Sequence, residues 1–128
     1  MTLRTFRIGD PKSSDAGLRI AAARYLPRGV RRTDYARLDL FDVWLPGVAP
    51  SRELIRWLKS REWSPGTAKT FFARYEREMH ASTDARQTIK LLAAMANHMP
   101  IAIGCYCEDE HRCHRSVLVR LIRLANRL

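Results

Sequence analysis

The stretch "PIAIGCYCEDEHRCHRSVL", Pro100 to Leu118, decides the fold. Pro100 ends whatever helix precedes it, and "IAIGCYC" then reads as the clearest strand of the chain, apolar and bounded by turn signals. Successive side chains on an extended strand alternate faces, so Cys105 and Cys107 are expected on one side and Tyr106 on the other. The acidic run Glu108, Asp109 and Glu110 turns the chain. A helix opens at about Arg115 and carries Leu118, Leu121, Ile122 and Ala125 on one face. A buried strand, a loop and a closing helix in this order are a unit of an α/β domain.

Working outward, the remaining elements fit the same class. "LRTFRIG" (3–9) and "LRIAAARYL" (18–26) read as strands separated by the polar loop "PKSSDAG", the second ended by Pro27 and Gly29. A basic, polar connection follows, and "LFDVWLPGVAP" (40–50) mixes β-branched and aromatic residues with two prolines, so any strand there is short. Ser51 is a good N-cap for "RELIRWLKSR", in which Leu54, Ile55, Trp57 and Leu58 recur at helical spacing. Past the Ser64-Pro65-Gly66 break, Phe71, Phe72, Tyr75 and Met79 form the apolar stripe of a second helix. Thr83 or Asp84 is expected to cap a third, with Ile89, Leu92, Ala93 and Ala96 on its inner face.

The chain has 128 residues, enough for one domain with a real core, so a single domain over 1–128 is expected. No stretch approaches the roughly 20 apolar residues of a membrane span. No unbroken apolar run follows the first arginines, as a secretory signal would require. The expected compartment is therefore the cytoplasm, where three cysteines stay reduced rather than paired. The formal charge is +10, and residues 1–32 hold eight Lys or Arg against Asp10 and Asp15. That excess favours anionic partners: small anions, nucleotides or nucleic acid. Nearly all the basic residues are Arg, a bias that genome base composition also produces, and no nucleic-acid-binding motif accompanies the charge.

The chemistry concentrates at residues 104–118, which hold all three cysteines, two of the four histidines and two arginines. The loop of such a strand–loop–helix lies at the strand's carboxyl end, where open α/β sheets bind ligands. The helix N-terminus offers free N–H groups and about half a positive charge. With Arg112, Arg115 and Ser116 it could hold an anion. The same field would favour a Cys113 thiolate, with His114 exchanging protons beside it. The Cys-x5-Arg loop of cysteine phosphatases is not met: Arg112 lies one residue too close to Cys107, and position 113 is a cysteine. A metal site from Cys105, Cys107, Cys113 and His111 is the alternative. Its spacing differs from the usual Cys-x2–4-Cys. Residues two apart on a strand have Cα atoms roughly 6.6 Å apart. Adjacent Cys113 and His114 are expected to point different ways on a helix.

Four segments resemble the DUF 488 family, a domain of unknown function, and in particular its YeaO-like branch. "LRIAAARYLPRGV" is similar to that branch's strand ending in a Trp-Pro-Arg-Gly turn, with Leu26 in place of the Trp. "LDLFDVWLPGVAPSRELIRWL" resembles its Ala-Pro-Ser-x-Glu-Leu segment with a following Trp, and "FFARYEREM" its Phe-x-x-Arg-Tyr-x-x-Glu helix. "CHRSVL" resembles the Cys-His-Arg signature of the wider family. Ala23 stands where the branch usually has an Asp, and many members of the branch lack the Cys-His-Arg element. The resemblance implies a small Rossmann-like, three-layer α/β domain with a mostly parallel sheet. It implies that Arg24, Arg28, Arg74, Tyr75, Cys113, His114 and Arg115 form one site, and it names no activity or cofactor.

The expected function is a small-ligand domain that binds an anionic, nucleotide-like molecule at 101–118, with Cys113 as nucleophile and His114 as proton carrier if chemistry follows. Nucleic-acid binding by the Arg-rich first third and metal binding by the cysteines are the alternatives. No membrane partner is expected.

Overall fold

The computed structural model describes residues 1–25, 31, 34, 39–107 and 112–127. Its elements run β1 (Leu3–Arg7), β2 (Leu18–Ala21), β3 (Val43–Trp44), a 3-10 turn (Pro46–Val48), α1 (Arg52–Lys59), α2 (Pro65–Ala81), α3 (Thr83–Ala96), β4 (Ile101–Cys105) and α4 (His114–Asn126). The four strands form one sheet in the order β1-β4-β2-β3. Every pairing is parallel: Leu3 and Leu18 both lie beside Ile101, and Ile20 beside Val43. This is the α/β architecture expected of the sequence.

Alternation along the strands sends two sets of side chains to opposite faces. Leu3, Ile20, Ala22, Ile101 and Ile103 join the main core, where they meet Leu54 of α1, Phe71, Tyr75 and Met79 of α2, Ile89 and Leu92 of α3, and Leu118 and Ile122 of α4. On the other face Ile8, Ala21 and Ala23 pack under Phe6, Leu40, Phe41 and Trp44. Among the described residues the helices thus contribute to one face, and chain around β3 covers the other. Gly104 is required by this second layer: a Cβ there would lie 2.2 Å from the Phe6 ring. No helix among the described residues is long and apolar enough to cross a membrane.

Local signals place most helix starts. Ser51 and Ser64 accept from the amides of Leu54 and Thr67. For α3 the cap is Ser82, whose Oγ accepts from the Ala85 amide, and not Thr83 or Asp84. Ser82 has extended backbone while Thr83 is already helical, and only the extended residue can turn its oxygen back onto the first free N–H groups. β2 closes at Ala21, and β4 closes at Cys105, two residues short of Cys107.

Two buried networks brace this frame. The Arg19 guanidinium, 3% exposed, reaches Asp42 and Asp39. Its backbone amide also donates to Asp42 Oδ2 at 2.8 Å. At the turn before α1, Arg24 donates from Nε to the Pro50 carbonyl (3.0 Å) and from Nη2 to that of Ala49 (3.1 Å). The Tyr75 hydroxyl donates to the Val48 carbonyl at 2.8 Å, and Glu78 accepts from the Ser51 amide at 2.9 Å. Residues from β2's end and from α2 therefore converge on one turn, 48–51.

Candidate functional site

Cys105 is the last residue of β4 and is flanked by ladders on both sides of its strand. Arg7 is its partner on β1, and Gly104 beside it pairs with Ala21 of β2. The Cys105 side chain follows Ile101 and Ile103 onto the helix-covered face and is buried. Cys107 lies beyond the strand, exposed, yet its Sγ is 3.9 Å from that of Cys105. Arg115 holds that turn. Its buried guanidinium donates through Nη1 to the Cys107 carbonyl at 2.9 Å and to the Cys105 carbonyl at 3.4 Å.

Cys113 is the N-cap of α4, with extended backbone (φ −114°, ψ 144°) and no side-chain capping bond. That conformation removes the expected divergence of neighbouring side chains: only His114 is helical, so Cys113 Sγ and His114 Nδ1 face each other at 3.7 Å. The same Nδ1 lies 4.0 Å from Cys105 Sγ. Cys105, Cys113 and His114 offer three buried ligand atoms, all within 4.8 Å of one another.

The imidazole has a fixed tautomer. Its Nε2 lies 2.5 Å from the Ala22 carbonyl oxygen, an acceptor only, so Nε2 carries the proton and the Nδ1 lone pair faces the sulfurs. The Tyr75 ring stands edge-on to it at 5.3 Å. Burial pushes the His114 imidazole down to about 4, against the Ala22 contact, and keeps it neutral. Among the sulfurs, Cys105 is the one common to both neighbours. Hydrogen bonds from Cys107 and then Cys113, with help from the Cys107 and Tyr106 amides, outweigh burial and bring it down to about 3. Cys113 moves the other way, pushed up by Cys105, Cys107 and burial.

The cluster forms part of the wall of a cavity of about 450 Å³ at the carboxyl ends of β2 and β4. Cys105, Cys107 and His114 line it together with Arg24, Tyr25, Ile55, Leu58, Lys59, Phe71 and Tyr106. Of the residues expected from sequence, Arg24 lies at this cavity and Tyr75 behind His114. Tyr75 is a buried brace; burial raises its hydroxyl well above the ordinary range. The Ser116 hydroxyl donates to the Cys113 carbonyl at 2.9 Å. Arg74 and Arg112 lie elsewhere, over the rings of Trp57 and Trp63 at 5.2 and 5.3 Å. Arg28 and His111 lie outside the described residues. Sequence reasoning missed Lys59 and Tyr25 as cavity residues; a solvent-side lysine in a helix and a tyrosine after a strand carry no local mark of a tertiary pocket.

The family described as "DUF488-N3a: Active DUF488-N3 subclade" matches residues 3–126. The chain is 28% identical over 120 residues to the uncharacterized protein Rv3073c of Mycobacterium tuberculosis, covering 94% of this chain and 92% of that one. It is 27% identical over 123 residues to the uncharacterized protein YeaO of Escherichia coli, covering 96% and 98% respectively. No solved structure matches. A family match over nearly the whole chain, with relatives aligned over almost their full length, agrees with the motifs that meet at the 48–51 turn: this protein belongs to the DUF488 family, on its YeaO-like branch.

Proposed function

We propose that the cavity at the carboxyl ends of β2 and β4 binds a small molecule with a flat, largely apolar body and an anionic group, presented to the cysteine–histidine cluster. The observation that carries this reading is the cavity itself: about 450 Å³, walled by Tyr25, Ile55, Leu58 and Phe71, with Arg24 and Lys59 among its lining residues. Small-ligand sites have this composition, an apolar wall with a few placed polar groups. A nucleotide-like anion fits it.

The cations differ from those expected. Arg115 and Arg24 both donate to backbone carbonyls and Arg112 lies over Trp63, so the anion falls to Lys59, which has no ion-pair partner among the described residues. Chemistry by a separate Cys113 nucleophile and His114 base is not favoured, because burial holds the imidazole down to about 4, which makes it a weak acceptor for a thiol proton. The cluster acts as a unit instead. The nucleic-acid alternative loses weight, since Arg4, Arg19 and Arg24 of the basic first third are engaged within the fold.

Thermal denaturation with nucleoside monophosphates and aromatic carboxylates tests the reading. At least one class should raise the Tm of the wild-type chain in a saturable way, and Lys59→Glu should weaken that ligand roughly tenfold while leaving the unliganded Tm unchanged, as expected of an exposed side chain. If no aromatic anion stabilises the wild type, the reading fails.

A further inference from the structure

We propose that Cys105, Cys107, Cys113 and His114 together form a tetrahedral site for one divalent cation of the zinc class, bound through three Sγ atoms and His114 Nδ1. The inference rests on the cavity reading for its location; its support is a separate set of distances. Zinc binds sulfur at about 2.3 Å and imidazole nitrogen at about 2.0–2.1 Å, so a regular tetrahedron has edges of about 3.8 Å between sulfurs and about 3.6 Å from sulfur to nitrogen. The observed Cys105–Cys107 separation is 3.9 Å, Cys113–His114 3.7 Å and Cys105–His114 4.0 Å. Cys105, Cys113 and His114 thus hold three ligand atoms within 4.8 Å of one another, and Cys107, in contact with Cys105, is the sulfur that would complete the set from the cavity side.

The histidine is prepared for the role. A metal-ligating imidazole usually donates its other N–H to a carbonyl or carboxylate, which fixes the tautomer and aims the lone pair. His114 does so through Nε2 to Ala22, just past the end of β2, leaving Nδ1 among the sulfurs. Around the sulfurs, Arg115 fixes the Cys105–Cys107 turn through both carbonyls, and Ser116 fixes the Cys113 carbonyl. These bonds order the backbone that carries the ligands before any ion arrives. Three ligands are buried and the fourth, Cys107, is exposed at the cavity. The ion would therefore enter from the cavity side, bind the thiolate form of each cysteine, and release to solvent the protons those thiols held.

Cobalt(II) added to the reduced, full-length chain tests this directly. One equivalent should give the intense visible bands of tetrahedral cobalt and a near-ultraviolet sulfur-to-cobalt charge-transfer band, and zinc should displace both. Loss of a group that merely hydrogen-bonds a ligand costs 10–100-fold in affinity, so loss of a ligand itself in Cys107→Ser, at an exposed position that leaves the core intact, should cost at least roughly a hundredfold and reduce the charge-transfer intensity. Cys113→Ser should do the same. Lys59→Glu should bind cobalt like the wild type, so loss of the small-ligand reading would leave this result untouched. Absence of a stoichiometric tetrahedral complex in the wild type overturns the proposal. So does cobalt binding by Cys107→Ser and Cys113→Ser that matches the wild type in strength and spectrum.

Discussion

Arg115 Nη1 donates to the carbonyl of Cys107 at 2.9 Å, which makes this arginine a staple of the cysteine turn. The bond crosses from the first turn of α4 to the chain leaving β4. A charge-assisted bond to a carbonyl is stronger than a neutral one, and its loss leaves acceptors short of a donor. Arg115→Met should cost about 2 kcal/mol in urea denaturation. Arg115→Lys, which keeps charge but not the fork, should recover part of that. Stability equal to wild type in Arg115→Met would show the staple to be idle.

Gly104 and Phe6 form a second such pair, on the opposite face of the sheet. A methyl group at 104 would sit within 2.2 Å of the ring. Gly104→Ala should therefore cost about 1–3 kcal/mol through overpacking, and adding Phe6→Leu should return some of it. An unchanged unfolding midpoint in the single variant would mean that the ring moves aside freely.

Tyr75 separates a bracing role from a chemical one. Tyr75→Phe keeps the edge-on ring against His114 and removes only the hydroxyl that donates to Val48. Its expected cost is about 1 kcal/mol, with cobalt affinity within twofold of wild type. A collapse of cobalt binding in this variant would place the hydroxyl in the site's chemistry after all.

Acid titration probes the Arg19 network. Burial raises the Asp42 carboxyl, but the Arg19 amide and guanidinium outweigh burial and leave it below the ordinary carboxylate range. A folded pKa lowered in this way adds stability that is present above about pH 4 and is lost as pH falls through the folded value. Wild-type stability should thus fall more steeply below about pH 4 than that of Asp42→Asn, which has no such group to protonate. Parallel acid limbs for the two proteins would show that the pair contributes nothing to the slope.

The helices were legible because their signals are local. Ser51 caps as expected, α2 starts at the expected Ser64-Pro65-Gly66 break, and of the stripe Phe71, Phe72, Tyr75 and Met79 all but the partly buried Phe72 are buried. β4 was legible as an apolar run between Pro100 and the acidic loop. The site was legible in composition but not in geometry. Whether Cys113 and His114 diverge or face each other turns on the backbone of a single cap residue, extended rather than helical. Whether Arg115 meets an anion or a carbonyl turns on where the Cys107 turn runs, which no spacing in the sequence encodes. The resemblance grouped Arg24 and Tyr75 with five other residues; in the structure these two both donate to carbonyls of the turn before α1.

The strand order gives the chain a direction of assembly. β1 and β2 touch the same neighbour, β4, and the chain must reach Cys105 before either has its central partner. A nascent chain ending at Pro100 holds two short strands with bare polar edges and a large apolar face on its helices, the kind of surface that invites aggregation. Insertion of Ile101–Cys105 closes the sheet, and docking of α4 then sets His114 beside Cys105. The residues of the cluster are thus divided between the strand at the middle of the sheet and the helix that follows it, and neither element alone brings Cys105 and His114 together.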